Sequence, residues 1–559
     1  MILAIILIAS TIRARINFSS EMIPGINGGY YPLLVRNLLE YGSIRYPDTP
    51  LIYWIQAFLS LIINIFNGSG FDHSVLMSSK IFDSIVPPLT CVPVFLFAKD
   101  HLRTQQKSRF FVLTISAFSV LYLGFLLVLS SEMQKNAAGL IWVACYILWI
   151  NRFMIKRKRK DIWISLIFLI LIALTHIGCF AVAFLFTLIY GITHFIGEGK
   201  RIRMKTLLIG FSAISLIILI SFAILIKDPD RMLRVLSFYL NPLRIFESPY
   251  LFLLLSGQQV YFGFLFHNFL LINILSIAGL IIVLINHNKL VFIDFTFALS
   301  LAILSICLSS PLIGMEWALR YYLMAFLPIA LMFVFVYKSL TGNVSKIAIT
   351  SVFFLLTAFS VFFGITGKRS PSISSDAYKD LVELKTETHI SPGDLIVARH
   401  GLEWWTGWVL RCRTGKEYCL RPEDWHKYPN IYLLRQKSGN NYPGQQGTGQ
   451  FAEFPIPETA EKIISNRSFD LYRLIKPIED QYYSGVLPLL QGTVISINDQ
   501  ELTVRSQGYR QKVTIGTSTK FMGIQNVNIE PGMRADIWGK RIPFSLKTHA
   551  EIIRVYQVY

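Results

Sequence analysis

Charged residues are scarce in this chain: Asp, Glu, Lys and Arg make up 16% of its 559 residues, while 53% are hydrophobic and the mean hydropathy is +0.50. Soluble globular domains carry about 25% charged residues, so the composition excludes the soluble classes. The apolar residues gather in long runs that short polar segments separate. Runs of this kind predict a polytopic α-helical membrane protein.

Acidic residues are scarcer still, 34 against 53 basic ones, which leaves a formal net charge of +19. Such an excess is common in nucleic-acid-binding proteins, but here the basic residues cluster between apolar runs, as at 156–160 and 200–205. The positive-inside rule explains that distribution, so no nucleic-acid partner is expected. The clusters mark the cytoplasmic side of the cell membrane, and the surplus charge would also attract anionic membrane lipids.

Cysteine is rare, with six in the chain, and no His or Cys spacing resembles a structural zinc site. Four cysteines lie in or beside apolar runs and are interpreted as small buried hydrophobic residues: Cys91, Cys145, Cys179 and Cys307. Cys412 and Cys419 stand close together in a polar region. If that region is external, a hairpin would bring the two within bonding distance, which predicts a disulfide.

The apolar runs predict roughly eleven membrane spans, since about 20 residues cross the hydrocarbon core. Their approximate bounds are 1–12, 81–98, 110–129, 137–153, 162–175, 179–196, 207–226, 264–285, 291–308, 319–337 and 347–363. The first run is short, which fits either a span whose start is missing or a signal peptide. The run 51–66 is also short and predicts an interfacial or re-entrant segment.

Mixed polar sequence replaces the long apolar runs from residue 367. Residues 367–490 predict an α/β domain with a short helix at 376–386 and a strand at 395–398. Residues 491–559 alternate as a small β-barrel of the OB type. Because the basic clusters assign the opposite side to the cytoplasm, both domains are expected to be external or periplasmic. An OB-like barrel does not by itself imply nucleic-acid binding.

The membrane domain, residues 1–366, begins with an external loop at 13–50 that is too polar to be buried in lipid. A turn rich in Gly and Asn leads into an amphipathic helix that ends at Gly42. Its apolar residues fall at helical spacing and are Tyr31, Leu34, Leu38 and Tyr41. Such a helix lies along the membrane interface. Glu21 and Asp48 flank it in turns, where proteins commonly display chemically active groups.

The loop contains the pattern N-G-G-Y-Y-P-L-L-V-R-N-L-L-E-Y-G, followed by Y-P-D-T-P-L-I-Y-W. This pattern resembles the first external loop of the GT-C membrane glycosyltransferases. That superfamily includes the protein O-mannosyltransferases, the lipid A aminoarabinose transferase and the catalytic subunit of oligosaccharyltransferase. The resemblance implies a GT-C-like fold and transfer of a sugar from a polyprenyl-phosphate-linked donor to a lipid, glycan or protein acceptor at the external membrane face.

One departure from the family pattern concerns the catalytic acid. Aligned on Tyr31, that acid falls on Asn27, whose amide is not a base. Either Glu21 or Asp48 takes over its role, or the activity differs or is lost. Asp48 is favoured, because prolines on both sides stiffen its surroundings.

Glu132 lies in the second external loop, where the oligosaccharyltransferase-like members have a further acidic motif. The resemblance therefore offers Glu132 as a catalytic residue, although it fits a plain helix end in water equally well. In the family the catalytic acid is often assisted by a divalent metal. The implied ion is Mg²⁺ or Mn²⁺, held by Asp48 and Glu132.

Positive groups must hold the polyprenyl phosphate, and the resemblance implies residues near the outer ends of the spans. The predicted set is Arg320, Lys135, His176 and Arg231, with Asn27 and Tyr31 as further substrate-binding residues. A cation such as Arg320 just inside a span is costly unless it meets an anion or snorkels to the interface. A lone histidine such as His176 at a span end is more often an interfacial hydrogen-bonding residue.

Two other functional classes stay open. A non-catalytic scaffold that displays an external domain fits the amide at Asn27. A transporter would carry charged groups at mid-membrane and internal repeats, which this sequence lacks. In an enzyme, Trp404, Trp405 and Trp408 would select the acceptor by stacking on a sugar, or they would be core residues. Nothing in the sequence indicates an oligomeric state.

Overall fold

The computed structural model describes residues 1–46, 48–68, 70–103, 108–198, 245–247, 249, 251, 263–415, 424–437, 456, 460–475, 488–498, 500–506, 509–522, 529–543, 545 and 547–556. Several predictions lie outside these residues. They are the span 207–226, the phosphate-binding residue Arg231 and the disulfide partner Cys419.

The N-terminal region is a bundle of helices, α1 to α14. Their bounds are α1 Ile2–Asn17, α2 Tyr30–Tyr41, α3 Leu51–Asn67, α4 Phe71–Ile85, α5 Cys91–Leu102, α6 Arg109–Leu121, α7 Gln134–Lys156, α8 Arg159–Thr175, α9 Ile177–Glu198, α10 Gly263–Ile285, α11 Phe292–Leu308, α12 Met315–Tyr322, α13 Phe326–Ser339 and α14 Asn343–Thr366. α13 runs through the centre, since nearly all of its residues are buried. Its Phe335 ring lies 5.6 Å from that of Phe97.

Six helical segments of the described chain are long and apolar enough to cross a membrane: Phe71–Leu102, Arg109–Val128, Gln134–Lys156, Ile177–Phe195, Trp317–Ser339 and Asn343–Thr366. Shorter apolar helices accompany them at Leu51–Phe66, Leu270–Ile285 and Phe292–Leu308. The chain is therefore a multi-pass membrane protein. The number of eleven spans stays a prediction.

The span expected at 81–98 belongs to a longer segment that begins at Phe71. α4 adds its first half, and a 3₁₀ turn at Pro87–Thr90 joins α4 to α5. The apolar pattern missed α4 because its inner face carries serines. Ser74 and Ser78 are fully buried there and satisfy their hydroxyls on the carbonyls of preceding residues.

The C-terminal region contains a mixed sheet and a closed barrel. α15 (Ser375–Glu387) and α16 (Leu402–Leu410) accompany the sheet β2-β1-β3-β5-β4, in which β1 pairs in parallel with β2 and β3. Its strands are β1 Leu395–Ala398, β2 Arg413–Gly415, β3 Ile431–Gln436, β4 Glu461–Ser465 and β5 Phe469–Leu474. The barrel β10-β8-β7-β6-β9 consists of β6 Leu490–Ile497, β7 Glu501–Ser506, β8 Tyr509–Met522, β9 Arg534–Arg541 and β10 Lys547–Tyr556. The predicted small barrel is confirmed.

Arg36 of α2 fastens the sheet region to the first loop. Its side chain is 1% exposed, and its guanidinium donates hydrogen bonds to the carbonyl oxygens of Gly407, at 2.8 Å, and Trp408 in α16. The guanidinium also lies 4.5 Å from the centre of the Trp408 ring. α2 is thus held between the bundle and the sheet region, and is more deeply buried than an interfacial helix was expected to be.

Arg36→Ala is expected to lower the free energy of unfolding by about 3 kcal/mol, because two buried carbonyls lose their donor. Chemical denaturation of the detergent-solubilised chain, followed by tryptophan fluorescence, measures this. Arg411→Ala is the matched control, since Arg411 pairs at 3.3 Å with Asp72 on the surface and both side chains are about half exposed. Exposed pairs contribute about 1 kcal/mol or less. Equal small losses for both variants would show that Arg36 does not fasten the two regions.

Candidate active site

A tight turn at 24–29 precedes α2. A Cβ atom on Gly28 would lie 2.0 Å from the carbonyl oxygen of Ile23, so this position has no room for a side chain. A Cβ on Gly29 would lie 3.0 Å from the Trp405 ring. The glycines therefore let the first loop fold tightly against α16 and fix where α2 begins.

Asp48 lies at the centre of a cluster of hydrogen-bond donors. Its Oδ2 accepts hydrogen bonds from the Lys135 ammonium at 2.5 Å, from the Tyr53 hydroxyl at 2.5 Å and from the Tyr30 hydroxyl. Its Oδ1 accepts one from the backbone N–H of Thr49 at 2.7 Å. The Asp48 side chain is only 9% exposed. Water therefore screens the Asp48–Lys135 ion pair little.

The ionisation of Asp48 is set by opposing effects. Burial by itself would raise the pKa of Asp48, but the charge of Lys135 and the hydrogen bonds from Lys135, Tyr30 and Tyr53 outweigh burial and lower the pKa to about 2. Burial and the neighbouring carboxylate raise the pKa of Tyr30 well above its ordinary value. At neutral pH, Asp48 is therefore a carboxylate held by a phenol that stays protonated.

Tyr31 joins α2 to the loop that precedes α7. Its buried hydroxyl donates to the backbone carbonyl of Glu132 at 3.3 Å and accepts from the backbone N–H of Lys135 at 3.4 Å. Asn27 has a different partner, because its Oδ1 accepts a hydrogen bond from the Trp404 indole at 3.2 Å. The amide at the position of the expected acid thus ties the first loop to α16.

The Glu132 carboxylate pairs with the guanidinium of Arg369, which follows α14. The same guanidinium donates to the carbonyl oxygens of Leu127 and Ser130, each at 2.8 Å. Gly25 packs against this pair, since a Cβ added there would lie 3.0 Å from the Cβ of Glu132. Glu132 thus borders the Asp48 cluster through its backbone, while its carboxylate holds the second loop to the end of α14.

His176 follows α8 and reaches the same region. Thr49, next to Asp48, donates its hydroxyl to the carbonyl oxygen of Thr175 at 2.6 Å. Burial and the positive charges of Lys135 and Arg320 lower the pKa of His176 to about 3. His176 is therefore neutral at physiological pH and lies where it feels both cations.

Arg320 lies in the last turn of α12, and its side chain is exposed. Its charge acts on the ring of His176, so it faces the same region as Lys135. Arg320 is thus close enough to His176 for its charge to lower the pKa of that ring.

Among solved structures, the chain is similar to ArnT from Cupriavidus metallidurans in the apo state. The match covers 84% of this chain and 97% of that chain, with a TM-score of 0.50 and 11% sequence identity. This chain shares the overall fold of that ArnT structure. No family model matches the sequence, and no curated protein does. At this identity the likeness concerns the fold alone.

The two carboxylates that flank α2 have different surroundings. Asp48 lies in the cluster described above, whereas Glu21 is exposed in the turn after α1. The neighbouring Ser20 accepts a hydrogen bond from Lys80 at 2.6 Å through its carbonyl oxygen. Asp48, Lys135, Tyr31 and His176 are therefore brought together, and Glu21 is not.

The donor set at Asp48 and Glu132 does not fit a divalent metal. Both carboxylates are paired with cations, Lys135 and Arg369. No group of three or more His, Cys, Asp or Glu residues that could hold a metal ion occurs in the part of the chain that the structure describes. Mg²⁺ and Mn²⁺ prefer several oxygen ligands. The metal stays a prediction, and no step below depends on it.

The three tryptophans of α16 differ in exposure. Trp405 and Trp408 are buried and belong to the core under α2, whereas Trp404 is half-buried. The centre of the Trp404 ring lies 4.6 Å from that of Tyr30 and 5.8 Å from that of Tyr46. Trp404 is therefore the tryptophan that borders the Asp48 cluster.

Cys412 is buried beside β2. Its predicted partner, Cys419, lies outside the described residues. The disulfide stays a prediction.

Sequence reasoning missed several partners of the cluster. Tyr30 and Tyr53 belong to the N-G-G-Y-Y and P-L-I-Y-W segments of the resemblance, so their roles had a signal in the pattern. No sequence pattern indicated the role of Arg369, because this residue lies 237 positions from Glu132 in the chain. A buried pair, Arg13 and Asp83, was missed for the same reason.

Proposed function

We propose that this chain is a GT-C glycosyltransferase that moves a sugar from a polyprenyl-phosphate-linked donor to a lipid, glycan or protein acceptor. The observation that carries the proposal is the Asp48–Lys135 pair beside the start of α2, in a chain with the fold of ArnT. A carboxylate and a cation in contact are the groups that sugar transfer from a phosphate requires. The basic clusters favour the external face of the cell membrane for the reaction.

Asp48 is the proposed general base. Its carboxylate takes the proton of the acceptor hydroxyl or amine, and the acceptor atom attacks the anomeric carbon of the sugar. The bond from that carbon to the phosphate oxygen breaks, and the polyprenyl phosphate leaves with the electron pair. Lys135 stabilises the negative charge that develops on the leaving phosphate.

A carboxylate with a pKa of about 2 is a weak base. The donor phosphate removes this difficulty, because it competes with Asp48 for the Lys135 ammonium. As Lys135 moves toward the phosphate, burial raises the pKa of Asp48 toward the working pH. Donor binding thus activates the base.

The phosphate is expected to lie between Lys135 and Arg320, with neutral His176 as a hydrogen-bonding partner. On the acceptor side, Trp404 offers a ring that is partly open to solvent beside Tyr30. Sugars and amphipathic acceptors pack on such faces. Asn27 orients that ring through its hydrogen bond to the indole.

Arg320→Gln is expected to raise the KM for the donor by roughly 10- to 100-fold, the range that follows from losing a charge-assisted hydrogen bond. Stability should change little, since the side chain is exposed. Rates of transfer from a polyprenyl-linked sugar in proteoliposomes, measured over a range of donor concentrations, give the KM and the kcat. Arg152→Gln is the control, because Arg152 pairs with Asp100 far along α7 from Lys135. An unchanged KM in Arg320→Gln would make Arg320 an interfacial anchor only.

The proposed function is tested first with the unmodified chain. Proteoliposomes that contain it should release polyprenyl phosphate from the donor only when an acceptor is present. A panel of polyprenyl-phosphate-linked sugars and lipid, glycan and peptide acceptors covers the expected classes. Absence of transfer across the panel would favour the scaffold interpretation.

A further inference from the structure

A fully buried ion pair lies beneath the second external loop. Arg13 of α1 donates from Nη2 to the Asp83 Oδ1 of α4 at 2.6 Å, and both side chains are 0% exposed. The other carboxylate oxygen of Asp83 accepts from the Asn17 amide and from the backbone N–H of Ser131, each at 2.8 Å. The proposed reaction uses none of these groups.

Ser131 has an unusual backbone conformation, with a φ of +66°. Serine rarely adopts this left-handed region without support. Support comes from Asp83, which accepts its N–H, and from Asn17, whose Oδ1 accepts its hydroxyl at 2.7 Å. The buried pair therefore fixes a turn that the chain would otherwise avoid.

The segment that leads into this turn is also held. It follows α6 as a wider π-helical turn, Gly124–Val128, whose last carbonyls lack helical partners. Arg13 donates to the carbonyl oxygen of Phe125 at 2.6 Å. Arg369 donates to those of Leu127 and Ser130. Two arginines from distant parts of the chain thus hold the carbonyls of this segment.

Lys135 follows directly, in the first turn of α7. The backbone N–H of Lys135 donates to the Tyr31 hydroxyl at 3.4 Å, and a change at Ser131 that moved the start of α7 would break this contact. The ammonium of Lys135 lies 2.5 Å from Asp48, so a displacement of an ångström would break this contact. The path from Asp83 to Asp48 consists of one backbone hydrogen bond, four residues of chain and one ion pair.

A contribution to folding stability does not by itself explain the buried Arg13–Asp83 pair. Replacing a buried ion pair by apolar residues of similar volume is often neutral or stabilising, because removing two charges from water is costly. The best-attested use of such a pair is to fix one arrangement among several. Here that arrangement is the left-handed turn at Ser131.

We propose that Asp83 is a positioning residue that sets the turn at Ser131 and thereby places Lys135 against Asp48. This inference rests on the proposed function, since its consequence is felt in the transfer reaction. Asp83 itself is buried and does not touch the substrate. Its loss should alter the behaviour of Lys135 and Asp48 more than the folding of the bundle.

The test compares Asp83→Asn with Asp294→Asn in the full-length chain in proteoliposomes with a polyprenyl-linked sugar. Asp294 is a matched control: it is 2% exposed, pairs with Lys338 at 2.6 Å and lies in α11 near the end of α5 that carries His101. In the described part of the chain, the titratable groups that act on Asp48 include Tyr30, Tyr31, Tyr53, Lys135 and His176. Among them, Lys135 makes the largest contribution to keeping Asp48 ionised.

In the plot of kcat/KM against pH, Asp83→Asn should therefore shift the acidic limb to higher pH by at least about one unit, because Asp48 loses its cation. The KM for the donor should rise about tenfold, since Lys135 no longer meets the phosphate in the right place. Asp294→Asn should leave the limb where it is in the unmodified chain. Equal behaviour of the two variants, with transfer intact in the unmodified chain, would overturn the positioning role while the proposed function stands. Absence of transfer in the unmodified chain would instead refute the proposed function.

Asp83→Asn leaves an Arg13 charge buried and is at risk of not folding. Ser131→Val and Ser131→Gly keep the ion pair and provide the second test. A β-branched residue strongly disfavours the φ of Ser131, whereas glycine adopts it readily. Ser131→Val should reproduce the shift of the acidic limb, and Ser131→Gly should not. Identical profiles for these two variants would refute the inference.

Discussion

Asp48→Asn is expected to lower the turnover of sugar transfer by roughly 10²- to 10⁴-fold, the usual contribution of a general base. The amide keeps the size of the carboxylate and can still accept from Tyr53 and Tyr30, so the cluster should stay folded. It has no useful basicity, and the acceptor proton then has no place to go. Turnover with a polyprenyl-linked sugar, measured under donor saturation, checks this result.

Glu21→Gln is the matched control for that variant. Glu21 belongs to the same loop and was the alternative candidate for the base, but it is exposed outside the cluster. It should leave turnover within about twofold of the unmodified chain. A large loss in Glu21→Gln together with intact turnover in Asp48→Asn would reverse the assignment of the base.

The Asn27→Asp variant tests whether the unmodified chain is an active transferase or has lost its catalytic acid. In the unmodified chain the Asn27 amide accepts a hydrogen bond from Trp404, and an aspartate could accept the same bond. The new carboxylate is therefore not expected to be needed for transfer. Activity that appears only in Asn27→Asp would show that the chain has lost its catalytic acid, and the scaffold interpretation would hold.

The parts of the fold that sequence reasoning recovered are those with local signals. Helical spacing and Gly42 located α2, and Gly42 indeed ends it in a left-handed conformation. Alternation of polar and apolar residues located the strands of the barrel. Each of these features is determined by neighbours within about a dozen residues, which a single sequence contains.

The parts it did not recover depend on contacts between distant segments. Nothing near Asp48 indicates that Lys135, 87 residues away, would bind it. Glu132 was offered as a catalytic or metal-binding residue, yet its carboxylate pairs with Arg369. The choice between such partners follows from helix packing, and helix packing leaves no short-range pattern.

The resemblance gave the right fold, and it directed attention to one position of the first loop. Alignment on Tyr31 drew attention to the missing acid at Asn27. The structure places Asp48, eighteen residues beyond Tyr30, on the hydroxyl of that tyrosine. The chain after α2 thus brings the carboxylate of Asp48 to the start of α2.

Lys135→Met is expected to lower kcat by roughly 10²- to 10³-fold, the loss seen when a donor to a developing negative charge is removed. Methionine keeps most of the length of the side chain and removes the charge. Burial then acts on Asp48 without an opposing cation, so the pKa of Asp48 should rise from about 2. Activity should accordingly fall at a higher pH than in the unmodified chain as the solution is acidified.

Lys338→Met controls for loss of a lysine that pairs with a buried aspartate, since Lys338 binds Asp294 at 2.6 Å. Lys338→Met should leave kcat unchanged. Its activity should also fall at the same pH as that of the unmodified chain when the solution is acidified. Lys135→Arg keeps the charge but not the geometry, because a planar guanidinium replaces a compact ammonium. Partial activity in that variant would indicate that charge and position both matter.

A double-mutant cycle decides what Lys135 does. If Lys135 serves only to keep Asp48 ionised, Asp48→Asn combined with Lys135→Met should be no slower than Asp48→Asn alone, because the group it acts on is already gone. If Lys135 also stabilises the leaving phosphate, the double variant should be slower by a further factor, since that interaction does not pass through Asp48. We expect the double variant to be slower than Asp48→Asn. In the proposed mechanism the Lys135 ammonium leaves the Asp48 carboxylate and binds the donor phosphate before Asp48 acts as the base.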